Sequence, residues 1–381
     1  MRTGIATVPL DYGRCPRWLF ERMKRLSRSI VIAIVEEFGP EEVLKRLSDP
    51  VWFQSLGCVI GFDWNSSGLT TTTLGAVKTA LFDIQDQLGI FVCGGKRESR
   101  KTPDEITAYG ISRGFSFAPK LIYASKMAAK VDSSLIQDSY QIYQHNFLFT
   151  KSGNWVVVQQ GMNVDNQTAR RYHWLSSNLG HKQEEPDFVE EPHTGIASQV
   201  RVKPLNLTAR KSNENREVSF SMVREEPRKI LKNIKKISEN SLVRIEKSKN
   251  FTEAELNNVE FQWHPVAEEK FDLKRLKKTV FFANSQNPEN FEKLLSLKGV
   301  GPKTIRALSL VSEMVYGAKP SFEDPARYSF AVGGKDGTPF FVEKNVYNKL
   351  LDVIEKGIQK SQISIREKAE AQKRLTKNFN L

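Results

Sequence analysis

The most constraining stretch of this chain is Leu297-Lys298-Gly299-Val300-Gly301-Pro302-Lys303-Thr304. Phe291 to Leu295 ahead of it reads as the end of a short helix, and Ile305, Leu308, Val311 and Val315 behind it recur at helical spacing. Two helices must therefore reverse direction within a few residues. Gly299 and Gly301 open backbone conformations closed to other residues and leave room for a ligand at the main chain. Val300 is expected to plug the turn into the apolar layer between the helices, and Ala307 is small enough to let them pack closely. Pro302 suits the first helical position, where an amide hydrogen would find no partner. The remaining amides of that turn then point outward at the positive end of the helix dipole, which makes an anion site, and Lys303 adds a point charge.

This pattern, over Asn290 to Tyr316, resembles the helix-hairpin-helix motif of DNA-repair and replication proteins. The resemblance implies sequence-independent contact with consecutive DNA phosphates through Lys298, Gly299, Val300, Gly301, Lys303 and Thr304. Composition points the same way. Among 381 residues, 57 Lys and Arg face 44 Asp and Glu, a net charge of +13. Between Arg201 and Asn250, 14 Lys or Arg stand against 6 Glu and no Asp, a net of +8. Phosphate binding is driven by counterion release and wants several cations together.

After the second helix, a Gly- and Pro-containing stretch from Gly317 to Pro325 leads to Asp324. In this it is similar to the helix-hairpin-helix DNA glycosylases. That resemblance implies Lys303 as an amine nucleophile at the sugar and Asp324 as the carboxylate that stabilises developing positive charge.

Elsewhere the chain reads as α+β. Helices are expected over Pro16 to Phe38, Pro40 to Leu47, Leu74 to Leu88 and from Thr102, where Thr can cap, Pro follows and acids suit the positive end. A short buried strand is expected at Ile90 to Cys93. Gln144 to Phe149 and Trp155 to Gln160 alternate as strands around a hairpin at Lys151-Ser152-Gly153-Asn154. Sequence before Gly61 reads as strand-like, Thr168 to Leu175 as a helix, and the chain beyond Val223 as mostly helical. Residues 1–180 are expected as an α+β domain and the seat of any catalysis. Residues 181–220 read as a linker, with Gln183 to Pro192 an exposed loop and Ser212 to Arg216 turn-like. Residues 221–358 are expected as the helical DNA-binding domain, and 359–381 as a basic helical tail with a solvated face.

Polar residues gather in the N-terminal half. Gly61 to Gly68, Thr70 to Thr73 and Gly94 to Thr102 join apolar segments to helices. The spacing of Gly to Lys-Ser/Thr is not that of a phosphate-binding Walker loop. A metal-dependent nuclease would draw on Asp63, Lys96, His145, Gln160 and His173, with Glu36, Glu37 and Asp83 as further carboxylates. It would need Mg2+ or Mn2+. Three readings therefore stand: a nuclease, a glycosylase or lyase on Lys303 and Asp324, and a non-catalytic binder. DNA is the expected partner, with RNA an alternative. Neither a bound cofactor nor an oligomeric state follows from these residues.

No apolar stretch approaches the roughly 20 residues that span a bilayer. Asp11, Arg14 and Arg17 interrupt any signal-peptide pattern, and Cys15, Cys58 and Cys93 are too widely spaced for a disulfide scaffold. A membrane partner is not expected, and a cytoplasmic location is. Taken over residues 1 to 340, the chain resembles the archaeal and thermophile family catalogued as domain of unknown function 763. The resemblance is carried by Arg2 to Ala6, Pro16-Arg17-Trp18-Leu19, Leu47-Ser48-Asp49-Pro50, Gly61-Phe62-Asp63-Trp64, Ser99 to Pro103, Val158 to Asn163 and Asp324 to Arg327.

Overall fold

The structure is a computed structural model and describes residues 15–61, 67–96, 101–182, 185–198, 200–243, 271–328, 355–359 and 364–379. Asp63 lies outside the described residues.

An antiparallel five-stranded sheet forms the centre, in the order β1 (Ile90–Lys96), β3 (Gln141–Thr150), β4 (Trp155–Asn163), β5 (Thr168–Leu175), β8 (His193–Ser198). The β3–β4 hairpin closes where expected. Gly153 takes the left-handed conformation at φ +87°, and the Thr150 amide donates to the Asn154 carbonyl at 2.9 Å. One sheet face, with Leu148, Val156 and Val158, packs against α1 (Arg17–Phe38), α2 (Pro40–Leu47), α3 (Pro50–Ile60) and α4 (Gly68–Leu81). The other face, with Phe147, Phe149, Val157 and Trp174, packs against α6 (Thr102–Arg113) and α7 (Ala118–Ser134).

The same core runs on without a break into the C-terminal helices: α8 (Asn213–Glu225), α9 (Pro227–Val243), α10 (Leu273–Ser285), α11 (Phe291–Ser296) and α12 (Pro302–Tyr316). Phe147 and Trp174 of the sheet share one apolar cluster with Val300, Ile305 and Leu308. Sheet and helices thus hold one another's buried surface.

Several expectations are corrected. Thr168–Leu175 is strand β5, not a helix: Arg170, Tyr172 and Trp174 face α7 while Arg171 and His173 face α3, so both faces are buried and no polar–apolar alternation betrays the strand. The stretch before Gly61 is helix α3, not strand. Asp49 caps it, accepting from the Val51 and Trp52 amides at 2.7 and 3.3 Å, and its burial on nearly every side hides the helical period. Leu74 to Leu88 is two helices, α4 and the short α5 (Gln85–Leu88), parted by a turn at 82–84.

The segment 181–220 is no linker. It supplies edge strand β8 and the hairpin of β6 (Gly180–Lys182) and β7 (Glu185–Asp187), and it buries Phe188 and Val189. Ser212, Asn215 and Arg216 are buried in and before α8, not exposed in a turn. Their polarity misleads because their donors are bonded internally. Asn215 donates to the Ser309 and Ala318 carbonyls, and Arg216 donates to those of Leu207 and Ala209 and to Glu190. The tail helix α13 (Ile365–Phe379) does not merely present a solvated face. Ala371 is buried against the α1–α4 layer, and Glu367 and Glu370 pair with Arg25 and Arg22.

Candidate functional site

The turn between α11 and α12 is built as its residues require. Asn290 caps α11, its side chain accepting from the Lys293 amide at 2.8 Å. Gly299 sits at φ +91°, in the left-handed region that disfavours any side chain. Val300, 1% exposed, anchors the turn in the core, and its amide donates to the Leu297 carbonyl. Gly301 is the N-cap of α12 and Pro302 its first residue; no side chain caps this end. A Cβ on Gly301 would meet nothing within 4 Å. Lys298, Gly299, Pro302 and Lys303 are exposed. Two expectations shift. Thr304 is buried rather than presented at the surface, and Val315 is exposed near the far end of α12 rather than part of its apolar face.

The turn is braced from behind by α7 and by β2 (Ile136–Gln137). The Lys130 ammonium donates to the Leu297 carbonyl at 2.5 Å, and Gln137 donates to the Pro302 carbonyl at 3.0 Å while accepting from Arg306. Burial pushes the Lys130 ammonium down to about 8. In front, α10 passes close: a Cβ on Gly299 would lie 3.9 Å from Thr279 Oγ1. Lys274, Arg275, Lys277 and Lys278 of α10 are exposed, and so are Arg228, Lys229, Lys232, Lys235 and Lys236 of α9. The α10 charge, the uncapped amides and the exposed glycine turn thus share one region of the surface, while the start of α9 meets the far end of α12, where Tyr316 donates to Glu226.

The other expected site residues divide across the sheet. Lys96, Gln144, Gln160 and Arg171 form one cross-strand row on the α3–α4 face. Lys96 is exposed at its end. Gln160, 3% exposed, donates to the Ser67 carbonyl at 2.9 Å and to the Tyr143 hydroxyl. His173 shares that face: its Nδ1 donates to the Leu47 carbonyl at 2.8 Å, and its Nε2 accepts from Arg171 at 2.8 Å. That pair of bonds requires the neutral ring. Burial, reinforced by the Arg171 charge, holds its pKa well below the usual imidazole range.

His145 points to the opposite face, between Ser125 Oγ at 2.9 Å and Gln159 Oε1 at 2.7 Å. Burial lowers its pKa too. His145 therefore does not meet Gln160 or His173, and both imidazoles use both ring nitrogens on internal partners. Asp83, in the turn after α4, pairs with Arg28, Glu37 of α1 pairs with Lys356, and Glu36 also lies on α1. Among the described residues no group of three or more His, Cys, Asp or Glu is placed to hold a metal ion.

Asp324 is tied into the interior. Its Oδ2 accepts from Arg170 and from the Val202 amide, each at 2.8 Å, and its Oδ1 accepts from the Ala326 amide at 2.9 Å. Arg170, fully buried, also pairs with Asp138 at 2.8 Å, and Tyr172 donates to the same carboxylate. Burial opposes the charge on Arg170, but Asp138, Tyr172 and Asp324 together raise its pKa. Asp324 thus fastens the segment after α12 to β5, in place of the expected role beside Lys303.

A second buried carboxylate escaped the sequence reading. Asp132 accepts from Gln159 at 2.6 Å and Trp174 Nε1 at 3.0 Å, and lies 2.5 Å from His193 Nε2. Its signal was an acid falling on the apolar stripe of α7, beside Ala128, Val131 and Leu135.

These features define an α+β protein with an exposed, cation-flanked glycine turn and a polar interior whose groups mostly serve each other. The chain belongs to the DUF763 family, described as a protein of unknown function, whose model matches residues 4–342. No curated protein and no solved structure matches it. No described helix is long and apolar enough to cross a membrane.

Proposed function

We propose that this protein binds DNA by its phosphate backbone, without sequence preference, using the α11–α12 turn as a helix-hairpin-helix clamp in repair or genome maintenance. The observation that carries the reading is the exposed turn itself. Val300 is sunk in the core while Lys298, Gly299 and Lys303 stand at the surface, beside a helix end that no side chain caps. Amides there are aimed at an anion at the positive end of the α12 dipole. The cations of α10, which runs beside the turn, supply the surrounding field that counterion release requires. Recognition confined to phosphates fixes position and carries no base information, so unrelated sequences should bind alike.

The test is fluorescence anisotropy with two unrelated duplexes over a salt series. Both should bind with equal affinity, and log K should fall linearly with log salt, by about 0.9 for each phosphate neutralised. Lys303→Glu should weaken both duplexes together and flatten the salt slope by about 1 or more. Affinity that does not change with salt, or a variant that binds as the native chain does, would overturn the reading.

A further inference from the structure

One face of α10 carries more than charge. The helix buries Leu276, Val280 and Ala283, and Thr279 borders that stripe and lies near the turn, 3.9 Å from where a Cβ on Gly299 would stand. At about 100° per residue, Arg275, Phe282 and Lys278 follow Thr279 around the solvent side of the helix, within roughly 100° of it. The Thr279 hydroxyl donates to the Arg275 carbonyl at 3.1 Å, so Arg275 lies one turn back on the same flank. Phe282 is 42% exposed. The ring stands apart from the buried stripe of Leu276, Val280 and Ala283, and a large part of it faces solvent. From Leu273 to Ser285 the helix has four cations and no acid. The flank thus carries an exposed ring, Phe282, on the same side of the helix as Arg275 and Lys278 and one turn along from Thr279.

A ring among cations fits a nucleic acid with unpaired bases. Every base has a π-face that stacks on an aromatic side chain while Lys and Arg follow the backbone. Bases inside an intact duplex are stacked on one another and cannot reach such a ring. We infer that the Arg275–Lys278–Phe282 flank of α10 holds a single-stranded segment running on from the phosphates at the α11–α12 turn, so that the preferred ligand is DNA with a single-stranded portion. This inference rests on the proposed phosphate clamp and adds to it a ligand structure and a stacking residue.

The test compares the full-length chain with its Phe282→Ala, Phe282→Tyr and Lys303→Glu variants, using a short single strand, a blunt duplex and a duplex with a single-stranded overhang. Thermal melts of each variant establish that it folds; Phe282 is 42% exposed, so its truncation should lower the melt only modestly. The native chain should bind the overhang substrate more tightly than the blunt duplex. Phe282→Ala should weaken the single strand and the overhang substrate by roughly tenfold or more, while blunt-duplex binding stays as it was. Phe282→Tyr, which keeps a stacking face, should restore binding. Lys303→Glu should weaken all three ligands. If Phe282→Ala changes no ligand, or all ligands equally, the stacking flank is overturned while the clamp stands. If the native chain binds none of them, the clamp and the flank fall together.

Discussion

The sheet interior and the α11–α12 turn both concentrate polar residues, and they dispose of them in opposite ways. In the sheet, His145, His173, Asp132 and Arg170 are buried, and their hydrogen bonds run to the neighbouring strands, helices and loops. Buried polar groups are costly unless paired, so each one specifies a neighbour and thereby a unique packing. At the turn, Lys298, Gly299 and Lys303 are at the surface and the helix end has no side-chain cap. Polar side chains thus hold layers together in one region and present charge outward in the other. A substitution inside the sheet should therefore register in stability, and one at the turn or on α10 in binding.

The largest expected effect comes from the interior. Arg170→Met would leave Asp138 and Asp324 buried without their shared cation. Removing one partner of a buried pair costs about 3–5 kcal/mol. Urea denaturation should show that loss, while the folded fraction keeps the native salt dependence of DNA binding. A loss of binding without a loss of stability would break the division between the two regions.

Acid offers a milder route to the same distinction. Burial lowers the pKa values of His145 and His173 in the folded chain, so below about pH 6.5 the unfolded imidazoles take up protons that the folded ones refuse. Their contribution is intact above that pH and declines as pH falls through and below it. Denaturation midpoints should drop on mild acidification. A midpoint unmoved by mild acidification would mean these rings reach water.

The smallest effect sits where the regions meet. Lys130 braces the turn from α7, and burial pushes its ammonium from 10.5 down to about 8. Between those values the unfolded chain binds the proton more tightly, so stability from this group rises as pH rises. Subtracting the pH–stability curve of Lys130→Met from that of the native chain should isolate this rise. A flat difference would place the ammonium in solvent and leave the Leu297 carbonyl unbraced.

How much of this could be read from sequence depends on whether a signal was local. The glycine turn, the first two helices, the β3–β4 hairpin and the Thr102 helix start are set by residues a few positions apart, and they lie close to where their punctuation puts them. Strand β5 was missed because Arg171 and His173 look like surface residues until α3 covers them. Asn215 and Arg216 were misread for the same reason, since their partners, Ser309 and Ala318 for one and Leu207 and Glu190 for the other, come from outside the segment. The place of Asp324 depends on Arg170, 154 positions away, which no spacing rule could find. Phe282 was passed over because a phenylalanine in a helix is ordinarily core; only its exposure and the nearness of Thr279 to Gly299 give it a candidate role.

The measurement closest to the central claim is a titration of isotopically labelled full-length protein with a duplex, following backbone amide resonances. The amides of Gly299, Val300, Gly301 and Lys303 should shift most, with the α10 residues beside Thr279 next and the sheet row of Gln144, Gln160 and Arg171 still. Large shifts along that row, with the glycine turn unmoved, would contradict the account and move the site to the sheet.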